Sequence, residues 1–201
     1  MAVNNENATK RDLNRENILN IAQEIFSKYG YKKTTLDDIA NAVRKGKSSL
    51  YYYFSSKEDI FQAVIEKEVE ILKAELEKVI IKDTSPEQKM KDYILTKLRT
   101  FRSLSNLYDV LENDVAEIGF IGKIKAQSEQ TEIRLIKRIL IEGVRKHKFD
   151  IRDFTLIAIG FTTAIKGLEM PLTAGTYSNV DVEQSVDNIL NILFYGIMKR
   201  D

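Results

Sequence analysis

The sequence has no cysteine, no tryptophan, one histidine and only two prolines. Without cysteine there can be no disulfide framework and no thiolate metal site. With so few prolines, long helices can run unbroken. No apolar run is long enough to cross a bilayer; the longest, LIAIGFTTAI from Leu156, is about half of what a span needs. The leading stretch MAVNNENATKRD is polar and has no hydrophobic leader core, so a cytoplasmic protein with no membrane partner is expected. Enzyme chemistry is also poorly provided for. His147 stands in RKHKFD at an expected helix end, where a surface cation is the simplest role. There is no metal-ligand spacing, no glycine-rich phosphate loop and no recognisable nucleophile with its base. Neither catalysis nor a metal or cofactor is expected.

What is present is an uneven charge distribution. Residues 1–57 carry 10 basic and 6 acidic side chains, net +4, whereas the remainder carries 21 and 24, net −3. A basic head on a mildly acidic body points to a polyanionic partner for the head.

The head reads as helices. Ile18, Ile21, Ala22, Ile25, Phe26 and Tyr29 recur at three- and four-residue spacing, the mark of an amphipathic helix. Gly30 follows the last of them and is placed to end it in a left-handed conformation. Thr34 is expected to open a second helix, with Asp37 three residues on as in a capping box. Leu36, Ile39, Ala40 and Val43 form its inner stripe. A basic turn, Arg44-Lys45-Gly46, leads to a third short helix, which gives a helix-turn-helix pattern.

The third helix lies in VRKGKSSLYYYF, Val43 to Phe54. At about 100° per residue, Leu50 and Phe54 share one side and anchor the helix in a three-helix core. Ser48, Ser49 and Tyr52 lie opposite, with Tyr51 and Tyr53 on the flanks. A flanking tyrosine can pack its ring and offer its hydroxyl to a phosphate. Small serines let the helix approach base edges, and Lys45 and Lys47 add attraction that ignores sequence.

Residues 15–65 resemble the DNA-binding domain of the TetR family of transcriptional regulators. The family pattern reads here as Gly30, Thr34-Thr35, Ile39-Ala40, Leu50-Tyr51-Tyr52-Tyr53-Phe54 and Lys57-Glu58. The resemblance implies DNA contacts from Thr34, Thr35, Arg44, Lys45, Gly46, Lys47, Ser48, Ser49, Tyr51, Tyr52, Tyr53 and Lys57. For Lys57 it implies a phosphate partner, since a cation at a helix start opposes the dipole. The chain departs from the family in the turn, where Ala-Gly-Val-Ser is replaced by Val43-Arg44-Lys45-Gly46. Two arrangements are open: Arg44 takes positive φ at a cost of about 1 kcal/mol, or Gly46 supplies the flexible position.

The body also reads as helical. A long stripe runs from Lys57 to about Ile80. Ser85-Pro86-Glu87-Gln88 opens a helix reaching Ser103. An irregular stretch holds Gly119, Phe120 and Gly122. Further helices are expected over 124–146, over 153–170 with a stop at Pro171, and over 182–198. The expected fold is all-α. It comprises a three-helix DNA-binding head, residues 1–57, and a larger helical effector-binding and dimerisation domain, residues 58–201. The last two helices are broadly apolar, and the resemblance implies a homodimer there, with Phe154, Phe161, Ile165, Leu190 and Phe194 as interface residues. Tyr93, Phe101, Tyr108 and Phe120 are the expected lining of a pocket for a small, mostly apolar effector. The function expected is a ligand-responsive repressor that binds a palindromic double-stranded operator as a dimer. The alternative is a helical scaffold or DNA-associated interaction protein with no small-molecule response.

Overall fold

The computed structural model describes residues 2–104, 106, 119–173 and 181–195. Eight helices occur among them: α1 (Ala2–Tyr29), α2 (Leu36–Ala42), α3 (Lys47–Tyr51), α4 (Lys57–Ile80), α5 (Pro86–Ser103), α6 (Ile121–Arg145), α7 (Phe154–Thr173) and α8 (Val182–Tyr195). The chain divides into two compact units, Met1–Val69 with Ser105–Asp109, and Glu70–Leu104 with Val110–Asp201. The division thus falls inside α4, whose first turns supply Ile60, Phe61, Val64 and Ile65 to the core of the first unit.

In that unit Ile18, Ala22 and Phe26 of α1 meet Ile39 of α2 and Leu50 of α3, all at most 1% exposed. Phe26 and Phe61 meet edge-on at 4.9 Å between ring centres. Gly30 ends α1 at φ 77°, a conformation that favours glycine, and its N–H bonds the Phe26 carbonyl at 2.8 Å. α1 begins far earlier than the apolar stripe at Ile18, since it also includes the polar leader. The unit holds a buried polar cluster too. Glu68, fully buried, accepts hydrogen bonds from Gln23 Nε2 at 2.7 Å and Asn106 Nδ2 at 2.8 Å. The Asn106 amide also donates to the Gln23 carbonyl at 3.1 Å.

The second unit is built on α5. Ser85 caps it, accepting from the Gln88 N–H at 3.1 Å, with Pro86 at its first position. Its inner face carries Met90, Tyr93, Ile94, Leu98 and Phe101, facing a core that includes Leu135, Ile136, Ile139 and Leu140 of α6. Two lysines lie on that face as well. Lys89 pairs with Glu142 at 2.6 Å and Lys97 with Glu132 at 2.5 Å, their side chains 6% and 2% exposed.

Two boundaries differ from the sequence reading. α6 starts at Ile121, so Gly122 is helical and only Gly119 and Phe120 remain in a turn. α7 continues through Pro171 to Thr173, because a proline this near a helix end removes only one late backbone bond. At the C-terminus of α6, His147 takes φ 56°; its N–H bonds the Val144 carbonyl and the Lys148 N–H bonds the Gly143 carbonyl, a Schellman closure. The end of α8 past Tyr195 lies outside the described residues.

Candidate nucleic-acid interface

Every element of the proposed interface is placed by local chemistry. The start of α2 is set by Thr35, whose Oγ1 accepts from the Asp38 N–H at 3.2 Å while Asp38 Oδ2 accepts from the Thr35 N–H at 2.8 Å. Hydrogen bonds from the Thr35 hydroxyl and N–H hold the Asp38 carboxyl below the usual aspartate range. The cap is therefore one residue later than the sequence suggested. Thr34, 2% exposed, donates its hydroxyl to the Gly30 carbonyl at 2.8 Å. It closes the α1–α2 turn, and its hydroxyl is engaged within the chain.

The turn after α2 resolves the choice left open by the sequence. Arg44 takes φ 54°, its N–H bonds the Asn41 carbonyl at 3.1 Å, and the Lys45 N–H bonds the Ala40 carbonyl at 3.0 Å. This is the same closure as at His147, with arginine where the family pattern has glycine. Gly46 is the N-cap of α3 in an extended conformation, φ −69°. Among the described residues the Arg44 guanidinium has no partner, and the side chain is exposed.

α3 ends at Tyr51, and with the turn that follows it buries Leu50 and Phe54 as the helical period implies, while Ser49, expected outward, is half-buried. Leu50 is 1% and Phe54 6% exposed, whereas Tyr51 and Tyr52 are 51% and 63% exposed. Ser48 is open, and Ser49 and Tyr53 are half-buried. Tyr52 and Tyr53 meet edge-on at 4.9 Å. Lys47 Nζ lies 3.0 Å from Asp37 Oδ2, and that carboxylate holds the ammonium above the usual lysine range. Lys45 Nζ donates to Asn14 Oδ1 at 3.0 Å and lies 6.0 Å from the Tyr53 ring centre.

Lys57 behaves otherwise than expected. Its ammonium donates to the carbonyls of Tyr31 and Thr34, both at 2.9 Å, and lies 4.2 Å above the Tyr31 ring. Burial pushes it below the usual lysine range. In the structure the cation at the start of α4 is held by carbonyls of the α1–α2 turn.

Sequence reasoning missed Arg11 and Arg15. The Arg11 guanidinium lies 5.1 Å over the Tyr52 ring and that of Arg15 lies 5.0 Å over the Phe54 ring. The available signal was their spacing of four with Asn14 between them, directly ahead of the apolar stripe.

The other expected sites are dispersed. Tyr93 and Phe101 are fully buried on one face of α5, Phe120 is half-buried at the start of α6, and Tyr108 lies outside the described residues. Of the expected interface residues, Phe161, Ile165 and Leu190 are at most 4% exposed within one chain. Phe194 stacks on Phe149 at 5.6 Å and lies 6.0 Å from Phe161, while Phe154 is half-buried. Phe161 and Phe194 thus pack against the chain's own interior. The outward faces carry Leu156, Ile159, Ile192 and Tyr195, 42% to 83% exposed, with open space beside Gly160 and Gly167. Among the described residues no cluster of acidic or histidine side chains is arranged to hold a metal ion, and no helix is long and apolar enough to cross a membrane.

Comparison with known proteins agrees with this geometry. Residues 18–64 match the family described as bacterial regulatory proteins, tetR family. The HTH-type transcriptional regulator RutR of Escherichia coli K12 is 38% identical over 85 residues, 42% of this chain and 40% of RutR. IcaR of Staphylococcus aureus strain Newman, a negative transcriptional regulator of the biofilm operon icaADBC, is 48% identical over 48 residues, 24% of this chain and 26% of IcaR. The matched stretch therefore spans less than half the length of these relatives. A crystal structure of a transcriptional regulator from Cytophaga hutchinsonii superposes with TM-score 0.76 at 27% identity, over 92% of this chain and 98% of that one. AibR in complex with isovaleryl coenzyme A and operator DNA shares the fold, with TM-score 0.65 at 15% identity over 90% of this chain and 98% of that one. Residues 18–64, from within α1 into α4, thus match the tetR family of bacterial regulatory proteins, and the architecture is shared almost end to end with a transcriptional regulator of known structure.

Proposed function

We propose that the protein is a sequence-specific transcriptional repressor that binds a palindromic operator as a homodimer and is released by a small molecule. The observation that carries this reading is the outward face of α3 and the turn after it, where Ser48, Tyr51 and Tyr52 stand clear of the core that Leu50 and Phe54 anchor. In the major groove Ser48 and Tyr52 meet base edges, while Thr35, Lys47, Tyr51 and Tyr53 meet phosphates. Arg44, strained and unpartnered, adds a further cation at the turn. Two such helices on a two-fold axis read two half-sites one helical turn apart or a multiple of it.

The dimer surface in this reading is the outer stripe of α7 and α8: Leu156, Ile159, Gly160, Ile192 and Tyr195. The glycine lets a partner helix approach closely, and the four apolar side chains are desolvated on contact. The effector site belongs to the second unit, where Tyr93 and Phe101 give an apolar surround and the Lys97–Glu132 pair a polar handle. An effector must bind the DNA-free arrangement better than the DNA-bound one, since equal binding shifts nothing.

The test is selection of bound duplexes from a random pool at low salt, followed by competition with a panel of apolar and acyl compounds. Acyl compounds enter the panel because AibR was crystallised with isovaleryl coenzyme A. A palindrome that is enriched, and then released by one compound class, is the expected result. Enrichment without release by any compound favours a DNA-associated scaffold, and no enrichment at all defeats the reading.

A further inference from the structure

We infer that the first turns of α1 ahead of the apolar stripe form a second DNA-contacting element, in which Arg11 and Arg15 make a basic rail against phosphates beside the groove that α3 enters. This rests on the DNA-binding reading of α3 and extends its footprint to a helix outside the helix-turn-helix.

Three contacts fasten this part of α1 to the recognition segment. Arg11 covers the Tyr52 ring at 5.1 Å, Arg15 covers the Phe54 ring at 5.0 Å, and Asn14 between them receives the Lys45 ammonium at 3.0 Å. Tyr52, directly after α3, is 63% exposed. Whatever surface meets that ring therefore also meets the guanidinium lying on it. Arg11 and Arg15 are four residues apart, so they share one face of α1, and both are exposed. Asp12 and Glu16 each stand one residue further, about 100° round the helix, which turns their carboxylates off the rail. Neither arginine has a carboxylate partner among the described residues.

The ligand chemistry follows from the residue type. Guanidinium offers a planar fork of donors that fits phosphate oxygens and remains charged at any working pH. A ring under one face of the guanidinium orients it while its N–H edge stays free for an acceptor. A rail of this kind carries no base information. It strengthens binding to every sequence and raises the salt dependence by about 0.9 per phosphate neutralised.

The experiment uses the full chain and the operator recovered by selection with the wild type. Affinity is measured from 50 to 200 mM salt for the wild type, for Arg11→Gln/Arg15→Gln, for Arg11→Lys/Arg15→Lys and for Lys47→Ala. The glutamine pair is expected to bind the operator and unrelated duplex about tenfold or more weakly, with unchanged preference between them. Its loss of affinity over that salt range should be about tenfold smaller than that of the wild type, while the lysine pair recovers most of the slope. A glutamine pair whose salt slope equals the wild type's overturns the rail, provided Lys47→Ala flattens it. A glutamine pair that changes sequence preference but not slope also overturns it, since Arg11 then acts only by positioning Tyr52. Failure of the wild type to select any duplex removes the DNA-binding reading beneath it.

Discussion

The carboxylate of Asp37 holds the ammonium of Lys47 at 3.0 Å on the surface that would face DNA. Both side chains are about half exposed or more, so the pair contributes little to folding and exchanges readily for a phosphate. Asp37 nevertheless competes with DNA for the lysine and brings a negative charge to the interface. Asp37→Asn should tighten binding to all duplexes several-fold and steepen the salt dependence by about one phosphate contact. Titration of labelled duplex at two salt concentrations checks this; unchanged affinity would mean that Lys47 stays off the DNA.

Arg44 and His147 share a backbone conformation that glycine adopts without strain. Arg44→Gly and His147→Gly should each stabilise the fold by about 1 kcal/mol. Only the first should weaken operator binding, because only Arg44 belongs to the DNA-binding unit. Denaturant melts and binding curves on the two variants separate backbone relief from lost contact.

A Cβ added at Gly160 has no neighbour within 4 Å, and the residue is exposed. Gly160→Leu should fold at least as stably as the wild type, since leucine favours helix over glycine by up to about 1 kcal/mol. It should still lose dimerisation and with it operator affinity. Ile192→Asp should do the same by charge. Sedimentation at micromolar concentration gives the answer directly, and a dimeric Gly160→Leu would place the interface elsewhere.

Burial alone would raise the Glu142 carboxyl, but hydrogen bonds and charge from Lys146 and Lys89 outweigh it and hold the group below the usual glutamate range. The folded state therefore releases this proton more readily than the unfolded chain. The resulting stability is present above the ordinary glutamate value and is lost as pH falls through the folded value. Glu142→Gln should cost about 1–3 kcal/mol at pH 7, because Lys89 is left inside with a weaker partner. The gap between the two proteins should close in acid, which urea melts at neutral and acid pH will show.

Long periodic elements were legible in the sequence. The stripe from Lys57 to Ile80 and the Ser85-Pro86 start of α5 depend on local spacing and capping, and both helices form as read. Ties between adjacent equivalents were not legible. Thr34 and Thr35 can both cap, and Asp37 and Asp38 can both answer; the choice follows from Gly30, whose carbonyl takes the Thr34 hydroxyl. Contacts distant in the chain were invisible too. The carbonyls of Tyr31 and Thr34 that hold Lys57 are 26 and 23 residues away from it. On α7 and α8, apolar residues surround much of each helix, so periodicity could not say which side is core. The packing places Phe194 against Phe149 and Phe161, with Leu156, Ile159, Ile192 and Tyr195 outward. The polar leader of α1 shows no apolar period, which is why Arg11 and Arg15 were overlooked.

The buried cluster of Glu68, Gln23 and Asn106 also bears on the order in which the protein can be made. Asn106 joins the first unit from a point 83 residues beyond Gln23. As the nascent chain emerges, the helices of the DNA-binding unit are complete well before the amide that shares the Glu68 carboxylate has been synthesised. Until then a buried acid lacks one of its donors, an arrangement that costs on the order of 1–3 kcal/mol. A fragment cut after Val69 therefore carries every side chain proposed to face DNA but lacks the Asn106 amide that donates to Glu68. Regulators assembled by joining this head to a foreign body would inherit that vacancy unless the segment around Asn106 travels with it.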